Sequence, residues 1–353
     1  MFTTSMVGYP ESLTDPSYAG QILIITHPLV GNYGVASKTL KMSDVPLHFE
    51  SHRIWVSGLI IHELSLKPSH WTCARSLDEW LRSENIPGMF RVDTRSLVKK
   101  IRERGVMMGV LKVYDPDREP LTVDEVHRLA DLLRQTPRYD NIPFVYEVAP
   151  AEKIVHEPEA KPRLTIAILD CGVKLGIVRE LLKRGCRVIR YPPTCSLNEI
   201  LGECDGVLLS NGPGNPAILT EIVDKVREII VDARVPTLGI CLGHQLSALA
   251  LGARTYKLRY GHRGSNKPVK DLESGRCYIT TQNHGFAVDD KSAKEVGFRI
   301  WFVNIDDKSV EGLKHEKYPL ITVQFHPEAS PGPHDTCWIF DLFLRLVEKH
   351  RTR

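Results

Sequence analysis

The sequence contains no Cys-x-x-Cys pair, although it holds eight cysteines. Zinc ribbons and iron–sulfur clusters rely on that spacing, so both classes drop out. His70 and Cys73 form a lone His-x-x-Cys with no second ligand pair nearby, and no metal site is expected. Long apolar runs are also missing. A membrane span needs about 20 consecutive apolar residues, and the longest stretch, residues 54–61, is strand-sized. The opening Met-Phe-Thr-Thr-Ser-Met has neither the basic nor the apolar region of a secretory signal. Scattered cysteines without an export signal point to reduced thiols, so the expected setting is the cytoplasm, away from any membrane. Charge of one sign is scarce as well: 46 Lys and Arg oppose 43 Asp and Glu, a net +3. That balance argues against nucleic acid as the main partner. There is no Gly-x-x-x-x-Gly-Lys-Ser/Thr phosphate loop, so no ATP site is expected in this chain.

What is present suits two domains, since 353 residues exceed the usual domain size of about 100–150. Hydrophobic residues make up 42% and charged residues 25%, which excludes wholesale disorder. Pro137, Pro143, Pro150, Pro158 and Pro162 lie in or beside a stretch with no apolar period. The expected division is an N-terminal domain over 1–137, an extended connection over 138–163, and a C-terminal domain over 164–353. Within the first domain, Leu97, Val98 and Ile101 share one face of an expected helix over 95–104. Lys99, Lys100, Arg102 and Arg104 lie on the other, a solvated face or a docking one.

Beyond residue 163 the pattern changes. Ile166–Leu169, Gly206–Leu209, Thr237–Ile240 and residues 321–325 are short apolar runs suited to buried strands. Helical periods sit between and after them, one with Ile222, Val223, Val226, Ile229 and Ile230, the last with Ile339, Leu342, Phe343, Leu346 and Val347. Alternating strands and helices predict an α/β fold, with a mostly parallel sheet flanked by helices. Such folds bind ligands at the carboxyl ends of their strands, so the residues just after these runs are the ones to inspect.

Gly239-Ile-Cys-Leu-Gly243 follows one of them and leads into a helical period with Leu242, Gln245, Leu246 and Leu249. Glycines two before and two after Cys241 permit a sharp strand-to-helix turn that lifts the side chain out of the sheet. There the helix dipole favours a thiolate, and the following N–H can face a developing oxyanion. A packed core cysteine is the competing reading, and it is preferred for Cys73, Cys171 and Cys186, which lack such flanking glycines. A thiolate nucleophile needs a base and an orienting acid. His326-Pro-Glu328 supplies both after the last apolar run, because residues two apart in extended chain point the same way. Residues 209–214, Leu-Ser-Asn-Gly-Pro-Gly, also follow a strand; taken alone they read as an ordinary turn.

Together, Asn211–Gly214, Gly239–Gln245 and His326–Glu328 resemble the class I triad glutamine amidotransferases, whose C-terminal type of domain is flavodoxin-like. More narrowly, Thr281–Phe286, His326–Asp335, Val92–Arg95 and Ser5–Tyr18 are similar to the small, glutamine-hydrolysing subunit family of carbamoyl-phosphate synthase. The likeness runs nearly the whole chain, including a smaller N-terminal α/β domain that other class I amidotransferases lack. It implies Cys241 as nucleophile, His326 as acid and base, and Glu328 as its orienter. It further implies that Ser17, Gly212, Gly214, Leu242, Gln245, Asn283, Gly285 and Phe286 contact glutamine. The same resemblance implies a ligase system in which ammonia passes to a large synthase subunit. That partner would carry ATP and Mg and make carbamoyl phosphate from bicarbonate for pyrimidine and arginine biosynthesis. No cofactor is expected in this chain, and its first domain would serve for docking.

The chain departs from the family's usual pattern in three places. A strand pair usually precedes the Thr4-Ser-Met stretch upstream of where Met1 stands, so either the start site is misassigned or the N-terminal sheet is short here. Asn215 stands where Asp is usual, and Gly176 where Asn is usual. Three rival readings compete: an amidotransferase for another synthase, a non-catalytic regulatory subunit, and a cysteine peptidase of similar fold.

Overall fold

The computed structural model describes residues 1–114 and 121–352. Near the N-terminus, β1 (Phe2–Thr3), β2 (Ile22–Ile25), β3 (Gly58–Ile60) and β4 (Gly88–Met89) form a wholly parallel sheet in that order. The first strand has only two residues. Leu13, Leu23, Phe49, Ile54, Leu59 and Trp80 pack beside this sheet as a core of their own. Helix α1 (Thr94–Arg104) starts where expected because the Asp93 carboxylate accepts the Ser96 N–H at 2.9 Å. Ile101 is buried on its apolar face, while Lys99, Lys100, Arg102 and Arg104 stay exposed. The Val92–Arg95 motif is thus, at least, a helix start.

The stretch 138–163 is more than an extended connection. It holds a short turn at Tyr139–Asn141, a helical turn at Val145–Val148 and a strand, β5 (Ile154–His156). Phe144 and Val148 bury themselves against Ala19, and Tyr139 stacks on Phe144 at 5.0 Å. Prolines hid these pieces from a periodicity reading, since each apolar anchor is too local to repeat.

The large sheet has ten strands among the described residues. Its centre is parallel, in the order β7 (Cys186–Tyr191), β6 (Leu164–Leu169), β8 (Gly206–Leu209), β9 (Thr237–Ile240) and β14 (Leu320–Val323). Four of these, β6, β8, β9 and β14, are the apolar runs of the sequence; β7 was missed, because Arg187 and Arg190 interrupt it. β5 caps one edge antiparallel to β7. On the other side an antiparallel wing continues through β13 (Val310–His315), β12 (Phe298–Asn304), β10 (Thr255–Asp271) and β11 (Cys277–Val288). Sequence reading missed the wing because β10 and β11 mix buried and exposed polar residues instead of forming apolar runs.

Helices cover both faces. On one, α2 (Leu175–Lys183) and the C-terminal α5 (Trp338–Arg351) bury Ile177, Val178, Leu181, Phe340, Phe343 and Val347 against the strands. Burying each such side chain contributes roughly 1.5–3 kcal/mol. On the other face lie α3 (Thr220–Arg227), which continues as a wider turn over Glu228–Asp232, and α4 (Leu242–Ala250). The basic last turn of α5, with Lys349 and Arg351, faces the negative end of its own dipole. Among the described residues, no helix is long and apolar enough to cross a membrane.

Candidate active site

Cys241 joins β9 to α4 and occupies the helix N-cap with φ +54° and ψ −101°. A non-glycine residue at positive φ is strained, and such strain persists where surrounding structure fixes it. Here the two flanking glycines fix it. A Cβ on Gly239 would come within 2.7 Å of the Gly243 carbonyl oxygen, and one on Gly243 within 2.1 Å of the Leu209 oxygen. Strand, elbow and helix therefore interlock at a spacing no larger residue allows. Leu242 begins the helix, so its N–H has no intrahelical acceptor and remains available to a ligand. The Cys241 thiol is 2% exposed and donates to the Asn283 carbonyl at 3.6 Å.

His326 follows β14, and its Nδ1 lies 2.8 Å from Glu328 Oε1. Nε2 is buried with no aligned hydrogen bond, on the side where the Cys241 sulfur acts on the ring. Burial alone would drive the imidazole towards its neutral form. Burial is the largest single influence, but the Glu328 carboxylate and the Cys241 sulfur together outweigh it and the opposing Lys174 ammonium, and His326 is raised to about 10. At neutral pH the ring is an imidazolium held by a carboxylate. Burial pushes Glu328 the other way, but Lys174 and then His326 keep it well below the usual carboxylate range.

Lys174 is a part of the site that sequence reading missed. It is 3% exposed, lies 2.9 Å from Glu328 Oε1 and 4.0 Å from Glu50 Oε2, and donates to the Ser330 carbonyl. Glu50 comes from the N-terminal half, is fully buried, and also accepts from Arg179, Ser330 and the Gly176 N–H. No periodic signal marks Glu50, which stands in a loop between short strands. Gly176 makes room for this network, because a Cβ there would fall 2.9 Å from both Glu328 Cγ and Glu50 Oε2. Asn215 does a carboxylate's work at its own position: its Oδ1 accepts the Ala217 N–H at 3.1 Å.

The loop at 211–214 is pinned rather than ordinary. The buried Asn211 amide donates to Ser17 Oγ at 2.9 Å and Gly172 O at 3.0 Å, and its Oδ1 accepts from the Lys174 N–H. Gly212 packs so closely that a Cβ would meet the Cys171 oxygen at 2.2 Å. Asn283 reaches the N-terminal half too, donating to Asp15 Oδ2 at 2.9 Å. Gln245 commits its amide nitrogen to Phe286 O and Gln324 Oε1, so its amide oxygen is the group it can offer a ligand. Ser17, Gly212, Gly214, Leu242, Gln245, Asn283, Gly285 and Phe286 all line one pocket with Cys241, a space of about 560 Å³ open to solvent on one side. His326 and Glu328 stand behind it. Cys171 and Cys186, by contrast, are sealed in the core, where burial pushes both thiols up.

Residues 167–346 match the family described as glutamine amidotransferase class-I, and residues 1–111 match the carbamoyl-phosphate synthase small chain, CPSase domain. A carbamoyl phosphate synthase small chain from Pyrococcus furiosus is 51% identical over 350 residues, 99% of this chain and 91% of the relative. The chain belongs to the carbamoyl phosphate synthase small chain family. A second member, from Sulfolobus acidocaldarius, is 48% identical over 98% of this chain and 90% of its own length. One from Pyrobaculum aerophilum is 48% identical over 99% and 93%. The class I amidotransferase match covers the large sheet from within β6 onward, leaving out β5, and the small-chain match covers the N-terminal sheet and α1. This assigns the small-chain family and disfavours an amidotransferase that serves some other synthase.

Behind the pocket, strand register sets His262 on β10 opposite His284 on β11. His262 Nε2 lies 2.9 Å from Asp307 Oδ2, and Nδ1 lies 3.4 Å from Glu311 Oε1. His262, His284 and Glu311 offer three donor atoms within 4.8 Å of one another. Both His262 nitrogens lie against carboxylates, however, and a protonated ring has no lone pair to offer a metal. Burial lowers the His262 pKa, but Asp307 and Glu311 outweigh it and raise it to about 9. The folded state thus holds this proton more tightly than the unfolded chain does. The stabilisation is complete below about pH 6.5 and is lost as pH rises through about 9. Against wild type, His262→Gln removes a contribution on the order of 2 kcal/mol at pH 6, allowing for the solvent at Asp307. Urea unfolding at pH 6 and 9.5 checks this: a gap that fails to shrink at the higher pH would refute it.

Proposed function

We infer that this chain hydrolyses glutamine to glutamate and ammonia through a Cys241 thioester and delivers the ammonia to a large synthase subunit that makes carbamoyl phosphate. The observation that carries this reading is the pairing of a strained elbow cysteine with a buried His326–Glu328 couple at adjacent strand ends.

In this mechanism the Cys241 thiolate attacks the side-chain amide carbon. The N–H of Leu242 and one from the Gly212–Gly214 loop hold the oxyanion, and removing one such donor costs about 2.7–4 kcal/mol of barrier. The His326 imidazolium gives its proton to the amide nitrogen, the C–N bond breaks and ammonia leaves. The ring, now neutral, takes a proton from water as its oxygen attacks the thioester; the thiolate departs and glutamate forms. Glu328 holds the ring in position through Nδ1 and stabilises its charge. The glutamine contacts are Ser17, Gly212, Gly214, Leu242, Gln245, Asn283, Gly285 and Phe286.

Ammonia released to neutral water becomes ammonium, which is no nucleophile, so its use requires direct transfer. ATP, Mg and bicarbonate belong to the partner in this reading, and the N-terminal half docks against it. The test measures glutamate release by the chain alone and with its synthase partner, ATP and bicarbonate. Release that rises with the loaded partner supports a coupled amidotransferase; no release in either state would overturn it in favour of a regulatory subunit.

A further inference from the structure

An ion pair crosses the mouth of the Cys241 pocket and takes no part in the chemistry above. Of the residues lining that pocket, Lys257 and Tyr260 are the exposed ones, so they mark its open side. Lys257 stands on β10, and its ammonium pairs with the carboxylate of Asp140, a lining residue from the connecting stretch. The two sides of the mouth are built differently. On the β10 side, Lys257 faces Phe286 and His262 faces His284 in the ladder, so residues 258–261 bulge out between them. Bulges of this kind re-aim side chains beside active sites. This one is fastened to the end of α1. The Val106 N–H donates to the Arg259 carbonyl at 3.1 Å, and the Arg259 guanidinium donates to the Glu103 carbonyl. A Cβ on Gly105 would come within 2.9 Å of the Arg259 oxygen. Across the mouth, Asp140 belongs to the short turn at Tyr139–Asn141, which closes on itself through Asn141 N–H to the Arg138 carbonyl and Ile142 N–H to the Tyr139 carbonyl.

The bond that joins these two sides is easily opened. The Lys257 and Asp140 side chains are 41% and 26% exposed, and water competes for such a pair. A lysine stem is flexible, so the ammonium can swing away while the β10 backbone keeps its ladder. Behind it lies a nucleophile that is 2% exposed. A movable bond at the open side of a pocket that holds a buried nucleophile is the arrangement of a gate. Many enzymes enclose their substrates in this way, and opening then limits product release. We propose that the Lys257–Asp140 pair is a latch on the pocket: closed, it confines the bound amino acid; open, it admits glutamine and lets glutamate leave. The identity of these two cargoes rests on the function inferred above, whereas the latch itself rests on the geometry of the mouth.

The test uses the full chain with its synthase partner and follows alkylation of Cys241 by iodoacetamide, read from the mass of the Cys241 peptide. Lys257→Met and Asp140→Asn each leave the mouth unlatched. Alkylation of Cys241 then rises about two- to five-fold, the range that an exposed ion pair can hold back. The exchanged pair, Lys257→Asp with Asp140→Lys, brings the rate back towards that of wild type. Salt gives the same answer without any substitution. Raising the ionic strength from about 0.05 to about 0.5 M speeds alkylation of the wild type, because screening weakens the latch, and leaves both single variants unchanged. Single variants that alkylate at the wild-type rate, or an exchanged pair no slower than they are, would overturn the proposal. A wild-type rate indifferent to salt would do the same. Wild type that releases no glutamate would overturn the glutaminase reading instead, and the alkylation rates would still decide the latch.

Discussion

Cys241→Ala loses glutamate release by about 10⁴-fold or more, the scale seen when a triad nucleophile is removed. The same complex continues to make carbamoyl phosphate when ammonia is supplied. The two halves of this result come from different features. Loss of hydrolysis follows from chemistry, because no other thiol can replace Cys241: Cys171 and Cys186 lie sealed in the core. Survival of the ammonia-dependent reaction follows from packing. The substitution deletes one sulfur and a single long hydrogen bond to the Asn283 carbonyl. Alanine keeps a Cβ at the same positive φ, so the elbow's strain is unchanged. A small buried deletion of this kind costs about 1 kcal/mol, too little to unfold a domain of this size. Glutamate release near the wild-type rate would remove Cys241 from its role. Loss of both activities would show that the thiol is structural.

Four of the five strands in the parallel centre were legible because they are buried on both faces and hence read as apolar runs; β7, with Arg187 and Arg190, was not. The elbow was legible for a related reason: a sharp strand-to-helix turn requires glycine where backbones touch, and Gly239 and Gly243 mark those contacts in the sequence. His326 and Glu328 could be paired because a spacing of two in extended chain is local information. The antiparallel wing was not legible, since β10 and β11 carry the site on one side and solvent on the other. Glu50 and Asp15 were missed for a further reason. Each acts across a long sequence separation, Asn283 reaching Asp15 from 268 residues away and Gly176 reaching Glu50 from 126. A lone charged residue has no spacing to betray it, and only the folded chain shows which charges are buried together.

Lys174→Met is expected to destabilise the protein by about 3–5 kcal/mol, the cost of breaking a buried ionic network by removing one partner. Lys174 lies between two carboxylates from different parts of the chain, Glu328 at 2.9 Å and Glu50 at 4.0 Å. Burial works against its charge, yet Glu328, Glu50 and Asp15 together hold it protonated beyond the ordinary lysine range. Methionine fills similar volume without charge, so the loss is electrostatic rather than a cavity. Glu328 is left with His326 alone, and Glu50 with Arg179 and Ser330. Adding Glu50→Gln should not restore stability, because Glu50 still pairs with Arg179 and its loss would leave that guanidinium buried without its partner. Urea unfolding of the wild type, the single variant and the double variant measures this coupling. A single variant within about 1 kcal/mol of wild type, or a double variant more stable than the single one, would refute it. The network also ties the halves together: Glu50 comes from the N-terminal part and Glu328 orients His326. A disturbance that shifted Glu50 would reach the imidazolium through one ammonium group, by a route that does not pass through the substrate.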